Sequence, residues 1–77
     1  MDKIRLLADK IIEDFTLTVK DRTDELLKLD AIQYTNLGLE SSKEEREGVK
    51  DNSKYIYRKI KEIDEPLGKN LIHHMDV

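Results

Sequence analysis

Three carboxylates, Glu44, Glu47 and Asp51, recur at i, i+3 and i+7, which places them on one side of a helix. Asp21, Asp24 and Glu25 form a second acidic group. Two helices facing each other with such groups could hold Mg²⁺, a cation that takes oxygen ligands and keeps several waters. Acids crowded at the start of a helix also complement its dipole, so solvated carboxylates are the simpler expectation. His73 and His74 are neighbours; on a helix they point about 100° apart and cannot chelate one ion together. Asn70 and Leu71 stand three positions before them, so the Glu-x-x-His half of a di-iron bundle site is missing. No Gly-x-Ser-x-Gly and no glycine-rich phosphate loop occurs, and Gly38, Gly48 and Gly68 are isolated. With no nucleophile beside a base, the expectation is a chain that is not an enzyme, with no catalytic residue, no metal and no cofactor.

A Mg²⁺-dependent all-helical nucleotide hydrolase is the remote enzymatic alternative. Such enzymes pair an ExxE helix with a following ExxD helix, and the order and spacing of the acids match that pattern poorly. A different surface is more suggestive. Lys50, Lys54, Arg58 and Lys61 lie within about 80° of helical arc, with Tyr57 among them. Such a strip can contact phosphates and stack a base, grip an acidic protein, or simply be the solvated side of a helix. The chain as a whole is acidic, with net charge −3 and pI near 5.3, whereas nucleic-acid binders usually carry a basic excess. Nucleic acid is therefore the second expectation and protein the first.

Length limits what else is possible. Seventy-seven residues are expected to form a single domain, 1–77, that buries a smaller fraction of its surface than a typical domain does. There is no Cys, so disulfides, thiolate metal sites and thiol catalysis are absent. Self-association is the reinforcement left for a small scaffold. Hydrophobic residues make up 38% and charged residues 40%, which implies a modest core. No apolar run reaches the roughly 20 residues of a membrane span, and the charged start MDKIRLLADKII lacks a signal-peptide core. A cytoplasmic location is expected.

Helices must position these groups. Ile4, Leu7, Ala8, Ile11, Ile12, Phe15, Val19, Leu26, Leu29 and Ile32 fall on one stripe at helical period. The spacing predicts one long helix from about Asp2 to Tyr34, roughly 48 Å at about 1.5 Å per residue. Thr18 and Arg22 interrupt the stripe, and the β-branched stretch Thr16–Val19 weakens helix propensity; the alternative is two helices broken near Lys20–Asp24, which would allow a compact monomeric three- or four-helix bundle. Asn36 or Gly38 can take the left-handed conformation that ends a helix. Ser41-x-x-Glu44 and Ser42-x-x-Glu45 fit capping boxes, starting a second helix that runs to Ile63 with Val49, Ser53, Ile56, Ile60 and Ile63 inward. Asp64-Glu65-Pro66 marks a stop and restart, and a short third helix follows from Pro66 to His74.

The expected fold is all-α: a long N-terminal helix and a second helix as an antiparallel hairpin, closed by a short third helix. The longer helix carries apolar surface beyond the reach of its partner. That surplus predicts a protein-interaction module (inhibitor, adaptor or structural subunit) that forms a homo-oligomer and meets another protein. Leu6 and Leu17 share a line off the main stripe, and with Phe15, Val19, Leu26 and Leu29 they make the expected interface.

Overall fold

The stretch from Glu13 to Thr18 ends one helix and starts another. Asp14 accepts from the Thr16 backbone N–H at 3.1 Å and from the Thr16 hydroxyl, a local bond that competes with helical pairing. Thr18 then caps the next helix, its Oγ1 accepting from Asp21 N at 3.1 Å. Arg22 reaches back across the break: its Nε donates to the Leu17 carbonyl and its Nη1 to the Ile12 carbonyl, both at 3.3 Å. Thus Thr18 and Arg22, which interrupt the apolar stripe, are the residues that build the turn.

The computed structural model describes residues 3–75 and contains α1 (Lys3–Ile12), α2 (Val19–Thr35), α3 (Lys43–Ile63) and α4 (Glu65–Met75). The fold is all-helical, with no strand among the described residues. The expected single long helix is corrected to two, and the break lies before Lys20–Asp24, which is inside α2. Asp2, the expected start, is outside the described residues.

The break resets the rotation of the chain, so the apolar stripe does not keep its phase. Phe15, Val19 and Ile32 are exposed. The buried line of α2 is instead Thr23, Leu26, Leu29, Asp30 and Gln33, more than half of it polar.

Asn36 ends α2 in right-handed geometry (φ −84°, ψ −7°), and no described residue has positive φ. The left-handed stop expected at Asn36 or Gly38 is therefore not used. The connection is closed by Gly38 N–H donating to Ser41 Oγ at 2.8 Å and Ser41 N–H to the Gly38 carbonyl at 3.1 Å. That leaves Ser42 as the cap of α3, accepting from Glu45 N at 3.1 Å. At the other end of α3, Asp64 N–H bonds the Ile60 carbonyl, and Asp64 Oδ1 accepts from Leu67 N. One residue thus closes α3 and opens α4.

Polar pairs give the directions. Arg5 Nε donates to Asn52 Oδ1 at 3.1 Å and Tyr55 OH to Asp9 Oδ1 at 2.5 Å, so α1 and α3 run parallel. Gln33 reaches Ser53 and Asp30 reaches Tyr57, so α2 runs antiparallel to α3. Helix α3 touches each of the other three. Helix α4 folds back on it at Gly68, where an added Cβ would stand 2.4 Å from Lys61 Cα. The fully enclosed apolar core is small: Ala8, Leu26, Leu29, Ile56 and Ile60. Ile4, Leu7, Ile11, Ile12, Leu27, Ile63, Leu67 and Leu71 pack around it half-buried.

Candidate interaction surface

Phe15 sits in the turn between α1 and α2 with 82% of its surface in water. It is held there. The Arg22 guanidinium, fixed by its two carbonyl bonds, lies 5.2 Å from the ring centroid, within cation–π range. Beside it, the two hydrogen bonds from Thr16, helped by Arg22, hold the Asp14 carboxyl below the usual carboxylate range. Leu17 is half-buried and Val19 exposed in the same short segment. The turn is therefore an ordered display of apolar side chains.

A groove of about 430 Å³ runs beside the turn, lined by Ile11 and Leu17 and by Asp14, Asp21, Asp24 and Glu25. Lys28 also lines it, already paired with Glu25 at 3.3 Å. The apolar turn thus has an acidic flank.

The other expected interface residues separate. Leu6 is exposed on the outer side of α1. Leu26 and Leu29 are buried in the core of their own chain, so in this fold they do not reach a partner. Leu17 belongs to the turn, so Leu6 and Leu17 do not form a line on one helix.

The basic strip lies on the side of α3 opposite its buried residues Asn52, Ser53, Ile56 and Ile60. Lys50, Arg58 and Lys61 are exposed and Lys54 half-buried, with the backbone of Lys61 lying against Gly68 of α4. Tyr57 turns away from the strip, donating to Asp30 Oδ2 at 2.7 Å. Burial, then the hydrogen bond and charge of Asp30, raise its hydroxyl pKa well above the ordinary value.

Among the described residues no three His, Asp or Glu side chains gather as a metal ion would require. His74 Nδ1 lies 2.7 Å from the Asn70 carbonyl, and the two histidine rings meet edge-on at 6.0 Å.

A buried polar network joins α2 to α3. Asp30 accepts from Gln33 Nε2 at 3.0 Å, from Ser53 Oγ and from Tyr57 OH. Gln33 Nε2 also donates to Ser53 Oγ at 3.2 Å, and Tyr34 OH lies 3.1 Å from that oxygen. The Ser–Asp pair resembles a nucleophile and its partner, but Ser53 is wholly enclosed and no substrate reaches it. Its physical effect is to lock the register of two helices. Sequence reasoning placed Ser53 inward yet missed Asp30 and Gln33; the signal available was their i, i+3 spacing in line with Leu26.

No helix of the described residues is long and apolar enough to cross a membrane. No protein-family model, curated protein or solved structure matches the chain.

Proposed function

We propose that the chain is a non-catalytic protein-interaction module that self-associates through the α1–α2 turn. One observation carries this reading: Phe15 is displayed in water by a turn whose hydrogen bonds hold it in place. Aromatic side chains beside an arginine are typical anchors of interfaces, and an anchor held in its bound geometry loses less entropy on binding. The length mismatch that first suggested an oligomer does not exist, because the long helix is broken. Charge supplies a replacement argument. The groove beside Phe15 is acidic, and Lys50, Lys54 and Arg58 on α3 of a second copy carry the opposite sign.

Burying Phe15, Leu17 and Val19 contributes on the order of 1.5–3 kcal/mol each at full burial, against association costs of about 4–15 kcal/mol. Apolar contact by itself is thus marginal, and association should weaken as salt screens the charges. Light scattering across micromolar concentrations tests the idea. The expected result is a multimer that Phe15→Ser converts to a monomer, which still melts cooperatively at the temperature of the dilute wild type, because Phe15 lies outside the core. A wild-type monomer at every concentration at low salt would remove self-association. Tight retention of oligonucleotides, lost in Lys54→Ala/Arg58→Ala, would instead favour the basic strip as a nucleic-acid contact.

A further inference from the structure

The acidic groove and the basic strip of one chain point in opposite directions. Helices α2 and α3 meet through their buried lines, Gln33 to Ser53 and Asp30 to Tyr57. At about 100° per residue, Asp21, Asp24, Glu25 and Lys28 centre on the side of α2 away from the buried Leu26. These four line the groove beside the Phe15 turn. By the same rotation Lys50, Lys54 and Arg58 lie on the side of α3 away from the buried Ile56. The two charged surfaces therefore occupy opposite faces of the molecule.

Neither surface is neutralised within its own chain. Among the described residues Asp21 and Asp24 have no ion pair, and neither have Lys50, Lys54 and Arg58. Glu25 is the exception, held by Lys28 at 3.3 Å. Asp51 stands at the edge of the strip, which stays net positive. Both lines also share a period. Lys50, Lys54 and Arg58 recur every four residues, as do Asp21 and Glu25, a step of about 6 Å along either helix.

A two-fold contact centred on the turn would set Asp14, Asp21, Asp24 and Glu25 against their own copies. Like charges brought together across an interface are costly. Such a contact also leaves the strip unused, because the strip faces the other way. A head-to-tail contact instead sets the groove of one copy against the strip of the next, unlike charge to unlike.

We propose that the chain associates head to tail, the Phe15 turn and its groove receiving α3 of a second copy. Lys50, Lys54 and Arg58 then oppose Asp21, Asp24 and Glu25. The Phe15 ring, which Arg22 covers on one side, meets the aliphatic stems and charges of Lys54 and Arg58 with the other. This arrangement rests on the self-association proposed above and adds its polarity. Each bound copy presents a fresh turn at one end and a fresh strip at the other, so growth is open unless the rotation closes a ring.

Two variants each remove one half of the contact: Phe15→Ser keeps the strip, and Lys54→Glu/Arg58→Glu keeps the turn. Light scattering and native mass spectrometry at low salt read the outcome. The wild-type mean mass should climb with concentration past that of a dimer. Each variant by itself should be a monomer, and their equimolar mixture should form a one-to-one heterodimer that grows no further. That heterodimer should dissociate as salt is raised, and its formation shows that both variants fold. Three results would overturn the head-to-tail arrangement: a wild-type mass that levels off at the dimer, association of Lys54→Glu/Arg58→Glu by itself, or a mixture that stays monomeric beside an associating wild type. The second would assign the interface to two turns meeting about a two-fold axis. A wild type that is monomeric throughout, or a Phe15→Ser chain that still associates, would instead remove the underlying reading of the turn, and this arrangement with it.

Discussion

Two glycines with the same propensity cost have opposite consequences. Gly68 lets α4 lie against the backbone of α3, and a Cβ there would come within 2.4–2.5 Å of Lys61 backbone atoms and its Cβ. Gly68→Ala should therefore cost about 1–3 kcal/mol, as overpacking does, read as a lower urea midpoint. Gly48 faces open space, so Gly48→Ala should stabilise by about 1 kcal/mol through helix propensity. The same urea melts would contradict this account if the two substitutions moved the midpoint in one direction. Tyr57 supplies a pH signature. Its hydroxyl pKa is raised in the folded chain above the ordinary 10.0, so above about pH 10 the unfolded chain loses this proton first. Stability present below pH 10 should fall as pH rises beyond it, and Tyr57→Phe should flatten that decline. Tyr55, raised by its bond to Asp9, adds in the same direction. So does Lys59: burial opposes its charge, but Glu62, Tyr55 and Asp9 together raise it. The slope in Tyr57→Phe should therefore be reduced and not zero. The mutant should also lose about 1–3 kcal/mol at neutral pH from the missing bond to Asp30.

Among the elements, the caps decide the architecture. Ser42 and Thr18 do the same work at the starts of α3 and α2, yet only Ser42 was legible as a cap. Its Glu at the third following position completes a recognisable box; Thr18 has Asp21 there, in a run whose apolar spacing also fits a continuous helix. Each replacement by Ala should cost about 1 kcal/mol. Arg22→Ala should do something else: release the Ile12 and Leu17 carbonyls and free Phe15. Hydrogen exchange at Glu13–Thr18 should accelerate in Arg22→Ala while exchange in α3 keeps its wild-type rate. Equal acceleration in both would mean that Arg22 acts on the whole fold and not on the turn.

The whole molecule is flat for its length. Its extents are 39 × 26 × 19 Å and its radius of gyration 12.6 Å, against about 11.5 Å for a compact chain of this size. The thin dimension is about two helix diameters, which explains why so few apolar side chains are enclosed. If a second copy covers the Phe15 turn, the melting temperature should rise with protein concentration, as mass action requires when only the folded state associates. A melting temperature independent of concentration across a hundredfold dilution would count against the proposed self-association.

Local chemistry settles what one-dimensional reading could settle here. Helical class, the Ser42 cap, the restart at Asp64 and the inward line Val49–Ile63 follow from residue types at short spacing, and the described helices carry them. The candidate site was legible only in pieces: Phe15 and Val19 were singled out as part of a helical stripe and Leu17 on a line beside it, together with Leu26 and Leu29, which the core takes. The break at 13–18 escaped because periodicity measures angle and assumes an unbroken rotation. Whether Arg22 interrupts a helix or folds back to end one depends on where Ile12 and Leu17 lie in space. The chemistry-bearing residues follow the same rule. The capping boxes were visible as short motifs, whereas the Asp30–Gln33–Ser53–Tyr57 network spans two helices and came into being only when they packed antiparallel.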